Sequence, residues 1–273
     1  MPLDALGLAL AAACLHALWN LLLAGSKDTE GSAAAALPCG VLLFAPVCAA
    51  TWRVESSAWP FIAGSTALEV GYIVLLMAAY KRADLSLVYP VSRGLAPVFV
   101  LCASVAFLGF GSSAGEVVGI ACVAGGIVLV RRGGADSGSA QWTGLALAVL
   151  VACFIATYTL VDRYGVRHAN PLSYVELILI GPAVAYPLLV GRARARARLR
   201  TPAVVSGASM LGAYGLTLAA LRLASAASVA AVRESSVVIA VVFAAPVLKE
   251  PVGSRRLAGA ALVVTGIALI ATF

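Results

Sequence analysis

LSLVYPVSRGLAPVFVLCASVAFL, residues Leu85–Leu108, decides the fold of this chain, because it is a long apolar run with an arginine, Arg93, inside it. At about 1.5 Å of rise per residue, about 20 apolar residues cross the hydrocarbon core of a bilayer, so the run predicts a membrane-spanning helix. A guanidinium in that layer costs at least about 2.5 kcal/mol, which a water-filled cavity, a carboxylate or an anionic ligand must offset. Arg93 is therefore the first candidate for a functional residue.

The composition places the whole chain among polytopic membrane proteins. Of its 273 residues, 62% are hydrophobic and 11% are charged, whereas soluble domains carry about 25% charged residues. The net charge of +7 does not indicate nucleic-acid binding, because the basic residues stand between apolar runs. The six cysteines lie inside apolar runs and form no CxxC pair, which predicts buried small side chains rather than disulfides. No metal and no cofactor is expected.

Charged residues, glycines and prolines divide the chain into ten apolar runs of membrane-spanning length, so the predicted fold is all-α. The predicted helices cover residues 3–24, 32–52, 59–80, 85–108, 114–131, 141–161, 170–190, 202–222, 226–248 and 254–272.

An offset of 140 residues relates the two halves of the chain. The residues that coincide are Arg93 and Arg233, Leu108 and Leu248, Gly119 and Gly259, Gly126 and Gly266, and Ile127 and Ile267. This predicts a duplication, with a first five-helix repeat over residues 1–132, a loop over 133–140 and a second repeat over 141–273. Because five is odd, the second repeat enters the membrane upside down, an arrangement typical of transporters with a central substrate site.

The basic residues predict the orientation. In the ten-helix reading, thirteen lysines and arginines follow the odd-numbered helices, five of them in the segment Gly191–Pro202, and four follow the even-numbered ones. The positive-inside rule then places both termini outside the cytoplasm. Residues 191–202 are expected to form a solvated loop or a helix extension.

Three segments carry a resemblance to a known family. LHALWN (Leu15–Asn20), YPVSRGLAP (Tyr89–Pro97) and VLKEPVGSRRLAGAALVVTGIALIA (Val247–Ala271) resemble the EamA-type branch of ten-helix permeases in the drug/metabolite transporter superfamily. The resemblance covers essentially the whole chain. Glu250 matches the family's acidic residue at the turn into the last helix, whereas Phe110 stands at the equivalent position of the first half.

The resemblance implies a secondary transporter, rather than an enzyme, in the cell (inner or plasma) membrane. It implies export or exchange of a small molecule through a central cavity without ATP, and the chain has no Walker motif. The expected partners are a small-molecule substrate, the lipid bilayer and, as a further candidate, a coupling proton; monomer and homodimer both stay open. The alternatives from other classes are a membrane-embedded enzyme, for which no catalytic cluster is visible, and a non-transporting scaffold.

Arg93 and Arg233 are the predicted substrate-binding cations. A guanidinium suits two-pronged contacts with carboxylate or phosphonate oxygens, so an anionic or zwitterionic metabolite is the expected substrate. The alternative is an ion pair that staples two helices. Glu234 is a further candidate; it follows Arg233, and neighbouring residues on a helix point about 100° apart, so only one of the two faces the cavity.

Glu69 and Glu176 are the candidates for proton coupling. Glu69 is also a candidate for substrate binding, with a plain salt bridge to Arg93 as the equal alternative. If the acids bind the substrate and the arginines are structural, the protein is instead a proton-coupled multidrug or cation exporter.

His16, Trp19, Asn20 and Tyr89 complete the predicted site. For His16, a hydrogen bond across helices or a place in the cavity wall is favoured over metal binding, because no Cys/His cluster accompanies it. Tyr89 lies one turn from Arg93 and is the tyrosine ranked highest for the cavity. Three other tyrosines are more typical of helix packing: Tyr72, Tyr158 and Tyr214.

Overall fold

The computed structural model describes residues 2–108, 113–132, 139–221, 223, 232–233, 235–250 and 252–272. Over these ranges the fold is all-helical, and an isolated backbone bridge joins Val54 to Ala169. The α-helices are α1 (Leu3–Ala24), α2 (Thr29–Ala50), α3 (Trp59–Tyr80), α4 (Leu85–Leu108), α5 (Ala114–Arg132), α6 (Ser139–Gly165), α7 (Pro171–Val190), α8 (Arg192–Ala197), α9 (Thr201–Leu221), α10 (Ser236–Leu248) and α11 (Ser254–Thr272).

The helix bounds follow the apolar runs of the sequence. Helices α1, α3 and α4 have the predicted limits. Helix α2 starts three residues before the predicted start, because the Asp28 carboxylate caps it by accepting from the Gly31 N–H at 3.1 Å. The segment 191–202 contains a separate helix, α8, and the predicted helical stretch 226–235 lies mostly outside the described residues.

Five helical segments are long and apolar enough to cross a membrane by length and composition: Leu3–Ala24, Thr29–Ala50, Ser56–Tyr80, Ala140–His168 and Pro171–Val190. Shorter apolar helices cover Val117–Val130 and Ser236–Leu248. The outer surface carries large apolar side chains, such as Leu42, which is 73% exposed, and Leu189, which is 67% exposed. Exposed apolar surface of this kind is typical of a face that meets lipid.

The cysteines are free but not all buried as predicted. Cys48 is buried, whereas Cys14, Cys102 and Cys153 are exposed. The reason is that an apolar run in a membrane protein has a lipid-facing side as well as a core-facing side, and small thiols occupy both.

Helices α5 and α11 approach each other backbone to backbone. A Cβ built on Gly126 would lie 2.6 Å from the carbonyl oxygen of Gly259, and a Cβ on Gly259 would lie 2.6 Å from that of Gly126. Gly266 meets the carbonyl oxygen of Gly119 in the same way. Small residues permit such contact between membrane helices, so these glycines fix the α5–α11 pair.

The other long helices pack around a central space. Helix α1 packs against α9 and α10, and α3 packs against α6 and α7. Helix α2 contacts α7 and α9, while α4 contacts α6, α10 and α11. This arrangement brings helices from both halves of the chain to the same cavity.

Loops of the two halves are joined at both ends of the bundle. At one end the Asn170 N–H donates to the Arg53 carbonyl at 2.6 Å, and the Glu55 N–H donates to the His168 carbonyl at 2.9 Å. At the other end, Arg194 of α8 is bound to Asp28, which precedes α2.

Candidate functional site

A cavity of about 240 Å³ lies between α1, α2, α3, α4, α6, α7 and α9. Its lining combines cations, carboxyl groups, tyrosines and apolar side chains. The polar and aromatic lining residues are His16, Trp19, Glu69, Tyr72, Arg93, Tyr158, Thr159, Asp162, Tyr214, Thr217 and Arg233. Five of the residues predicted from the sequence therefore meet in one place: both arginines, Glu69, His16 and Trp19.

Arg93 projects from α4 into this cavity and contacts α1. Its Nη2 atom lies 2.5 Å from Nε2 of His16. An arginine side chain only donates, so the Nε2 atom of His16 is the acceptor. Arg93 thus contacts His16, while Glu69, the salt-bridge partner considered from the sequence, interacts with Arg93 electrostatically.

The Arg93 contact fixes the tautomer of His16. A neutral imidazole accepts at one nitrogen and carries a proton on the other, so Nδ1 bears the hydrogen. The Trp19 Nε1 atom lies 3.5 Å from Nδ1, and the two rings meet edge-on with centroids 5.3 Å apart. We interpret the Trp19 contact as ring packing that holds the imidazole in place for Arg93.

Two carboxyl groups line the same cavity as the arginines. Glu69 on α3 is 7% exposed, and Asp162 on α6 interacts with it electrostatically. The Tyr174 hydroxyl donates to Oδ1 of Asp162 at 3.0 Å and holds this carboxyl in position. The cavity therefore presents both guanidinium and carboxyl groups to a ligand.

Asp162 was missed because the sixth helix was predicted to end at residue 161. The helix continues to Gly165, so Asp162 lies on the same face as Tyr158 and Thr159, which are four and three residues before it. This spacing was the sequence signal that could have identified Asp162 as a cavity residue.

The tyrosines of the cavity wall are Tyr72, Tyr158 and Tyr214. The rings of Tyr72 and Tyr158 meet edge-on with centroids 6.0 Å apart. Tyr89, the tyrosine ranked highest from the sequence, is not among the lining residues. It is buried behind the wall, where its hydroxyl lies 3.2 Å from Oγ of Ser236 and its ring lies 6.2 Å from that of His16.

Asn20 braces the site from α1 without lining it. Its Nδ2 atom donates to the His16 carbonyl at 2.8 Å, and its Oδ1 atom accepts from the Tyr80 hydroxyl at 2.7 Å. The amide thus ties α1 to α3 beneath the imidazole, which makes Asn20 a positioning residue.

Glu176 lies apart from the main cavity, in a small void that it shares with Phe44 and Cys48. It is 5% exposed, and its Oε1 atom has no hydrogen-bond partner among the described residues. Tyr214 lines both this void and the main cavity, so its ring separates the two. Glu234 lies outside the residues whose side chains are described.

The start of α4 is fixed by residues from the end of the chain. The Arg256 side chain, which is 1% exposed, donates from Nη1 to Oδ2 of Asp84 at 2.8 Å and to Oγ of Ser86 at 2.5 Å. The Glu250 carboxylate accepts from the backbone N–H groups of Leu85 and Ser86. The helix that carries Arg93 is therefore anchored at one end by the α10–α11 turn.

A second charged cluster closes the same end of the bundle. Arg194 binds Asp28 and, through Nη1, Oε2 of Glu30 at 3.1 Å; Glu30 also pairs with Lys81 at 3.1 Å. The hydrogen bonds from Arg194 lower the pKa of Asp28 to about 2, despite the opposing effect of partial burial. Asp28 is thus ionised throughout the physiological pH range.

Comparison with solved structures shows which known fold the whole chain shares. No curated protein matches the chain. Eleven chains of solved structures match it, and one of them, described only as "Crystal structure of protein", has a TM-score of 0.62 and 17% sequence identity. That match covers 98% of this chain and 97% of the other, which shows a shared fold over the whole length.

The second half of the chain matches a family of known function. The profile of the EamA-like transporter family matches residues 142–272, which contain α7, α9, α10 and nearly all of α6 and α11. These helices supply Asp162, Tyr158 and Tyr214 to the cavity. Together with the apolar helices, this match shows a multi-pass membrane protein whose residues 142–272 match the EamA-like transporter family, which is part of the drug/metabolite transporter superfamily.

Proposed function

We propose that the protein is a secondary transporter that carries a small anionic or zwitterionic metabolite through the central cavity by alternating access. The observation that carries the proposal is that Arg93 and Arg233 line one cavity in a chain whose residues 142–272 match a transporter family. The cavity volume of about 240 Å³ lies below the range of about 300–1,000 Å³ that drug-sized ligands occupy. It therefore favours a small metabolite over a bulky drug.

The combination of guanidinium and carboxyl groups in the cavity favours a zwitterion in particular. The guanidinium groups of Arg93 and Arg233 suit a carboxylate or phosphonate, because they offer paired N–H donors. The carboxyl groups of Glu69 and Asp162 suit an ammonium group on the same ligand. The protein is proposed to bind the substrate without a catalytic step.

The architecture that we propose is two inverted five-helix repeats, over residues 1–132 and 141–273 with 133–140 between them. In this arrangement α1, α2, α3, α4 and α5 correspond in that order to α6, α7, α9, α10 and α11. When each helix is replaced by its counterpart, the α1–α9 contact becomes α6–α3 and the α2–α9 contact becomes α7–α3. All four of these contacts occur in the bundle. The Gly126–Gly259 contact maps in the same way onto Gly119–Gly266. Contacts that map onto each other support a two-fold relation between the halves.

Alternating access then requires that the two ends of the cavity open in turn. The contacts of Arg256 and Glu250 join the start of α4 to the second half of the chain at one end of the bundle, so we propose that they break when that end opens. We further propose export as the direction, a cell (inner or plasma) membrane location with both termini outside the cytoplasm, and a monomer or homodimer as the unit. A coupling proton is assigned to Glu69, with Glu176 as the second candidate.

A second candidate function is a proton-coupled exporter of organic cations. It is favoured by the edge-on pair of Tyr72 and Tyr158 in the same cavity as Glu69. Aromatic faces and a carboxylate together attract cations. In that case the arginines would be structural.

The test is a ligand screen on purified protein, followed by transport in reconstituted vesicles. A ligand that binds the folded protein raises the thermal unfolding temperature by an amount that grows with the ratio of ligand concentration to Kd, so acidic, zwitterionic and cationic metabolites are compared at equal concentrations. We expect stabilisation by zwitterions or anions and counterflow of the stabilising compound in vesicles. Stabilisation by cations alone would favour the second candidate.

A further inference from the structure

A second cavity of about 250 Å³ opens on the outside of the bundle, beside the short helix α8. Pro38 and Leu42 of α2 and Pro187 of α7 form its apolar wall. Arg192 and Arg196 of α8 line it as well, and Leu199 completes it. We call this cavity the α8 groove.

The three arginines of α8 differ in their contacts. Arg192 and Arg196 are four residues apart, so they share one face of the helix, and both are exposed. Arg194 is directed to Asp28 and Glu30. Among the described carboxylates, none forms an ion pair with Arg192 or Arg196. The α8 groove thus carries two cations that the described part of the protein does not neutralise.

The depth of the groove places these cations at the membrane surface. Helix α8 begins two residues after Val190, the last residue of an apolar segment of membrane-spanning length. From Ala34 to Leu42 the wall descends along α2 by about 12 Å at 1.5 Å per residue. The groove therefore has an apolar part at acyl-chain depth and a cationic part at headgroup depth.

We propose that the α8 groove binds an anionic phospholipid. The headgroup phosphate contacts Arg192 and Arg196, and one acyl chain lies along Pro38, Leu42 and Pro187. Basic pockets at the ends of transmembrane helices recognise anionic headgroups in this way, and guanidinium groups suit phosphate oxygens. A zwitterionic lipid carries its own cation beside the phosphate, so it neutralises the two arginines less well than an anionic lipid does, and inorganic phosphate leaves the apolar wall unfilled. This site is separate from the central cavity and does not depend on the proposed substrate.

The test uses the full-length protein in a neutral detergent. Phosphatidylglycerol, phosphatidylcholine and inorganic phosphate are titrated separately, and bound lipid is counted by native mass spectrometry beside the thermal unfolding temperature. We expect phosphatidylglycerol to bind and to raise the unfolding temperature more than the other two. Arg192→Gln with Arg196→Gln should weaken phosphatidylglycerol binding by about fivefold for each arginine, while phosphatidylcholine binding stays unchanged.

Matched variants distinguish a built site from general attraction. Lys249→Gln with Arg255→Gln removes two exposed positive charges from the α10–α11 turn and should leave lipid binding intact. Leu42→Ala should weaken binding, whereas Leu189→Ala, at an equally exposed leucine outside the groove, should not. The proposal is overturned if both charge pairs have the same effect, if the two lipids bind equally, if phosphate alone gives the full thermal shift, or if the arginine variant binds as the wild type does.

Discussion

Glu250 holds the first turn of α4 with both oxygens of its carboxylate. Oε1 accepts from the Leu85 N–H at 2.8 Å, and Oε2 accepts from the Ser86 N–H at 3.0 Å, across 165 residues of chain. The first N–H groups of a helix have no partner within the helix, and they carry its positive end. A carboxylate from the second half of the chain thus caps the helix on which Arg93 is placed.

Glu250→Ala should lower the free energy of unfolding by about 1 kcal/mol, as the loss of a helix cap does. The measurement is thermal unfolding of the purified protein. Glu55→Ala, at an exposed carboxylate at the other end of the bundle, is the control and should change stability less. Equal losses for the two variants would contradict the capping role.

Arg93→Gln should weaken substrate binding by about tenfold to a hundredfold, because a hydrogen bond to a charged group contributes about 1.5–3 kcal/mol. The protein should remain folded, with an unfolding temperature near that of the wild type. Arg93→Lys keeps the charge but not the two-pronged geometry and should be intermediate. Arg255→Gln is the control. If Arg93→Gln removes folded protein from the membrane, Arg93 is instead a structural staple.

Glu69→Gln should abolish the dependence of transport on the proton gradient. The glutamine side chain has nearly the shape of glutamic acid but does not take up or release a proton. Exchange of substrate across the membrane should therefore continue, while accumulation against a substrate gradient should stop. Glu176→Gln is the matched variant, because Glu176 lies outside the main cavity. A loss of gradient dependence in Glu176→Gln alone would move the coupling proton to that residue.

Gly126→Ala should destabilise the protein by about 1–3 kcal/mol, because the added methyl group would overlap the carbonyl oxygen of Gly259 and force the helices apart. Gly7→Ala is the control, since no atom lies within 4 Å of a Cβ at that position. There the substitution should stabilise α1 by up to about 1 kcal/mol. Similar thermal stability in the two variants would argue against close α5–α11 contact.

The contribution of Asp28 to stability should depend on pH in the acid range. Its pKa is about 2 in the folded protein and about 3.9 in an unfolded chain. Because the folded-state pKa is the lower one, the stabilisation is complete above about pH 4 and disappears as the pH falls through about 2. The difference in unfolding free energy between wild type and Asp28→Asn should be at most about 1 kcal/mol and should shrink over that interval. Asp4→Asn, which removes an exposed carboxylate from the start of α1, is the control.

The sequence predicted the limits of α1, α3 and α4, because an apolar run between charges leaves little freedom in where a membrane helix begins and ends. The prediction of ten membrane-spanning helices is not confirmed: the described residues form eleven α-helices, and five segments are long and apolar enough to cross a membrane.

Five of the predicted site residues line the central cavity, namely Arg93, Arg233, Glu69, His16 and Trp19, since charged or polar residues in apolar runs are costly and need a polar cavity. Tyr89, the tyrosine ranked highest for the cavity, is not among the lining residues. It lies one turn from Arg93 on α4, but its hydroxyl contacts Ser236 of α10 instead. That contact depends on packing between helices and not on local spacing.

The polar contacts between residues far apart in the chain were harder to predict. The acidic residue Glu250 was recognised from the family pattern, but its partner, the start of α4, depends on tertiary contact alone. The network of Arg194 with Asp28 likewise joins residues that no local pattern relates. The first-half equivalent of Glu250, Phe110, lies outside the described residues.

None of the described residues of α5 and α11 lines the central cavity. Their glycine contacts instead hold the two helices against each other. A substitution in the cavity wall can therefore change the contacts with a ligand without altering the α5–α11 contact. A substitution at these glycines can likewise weaken assembly without removing a side chain from the cavity.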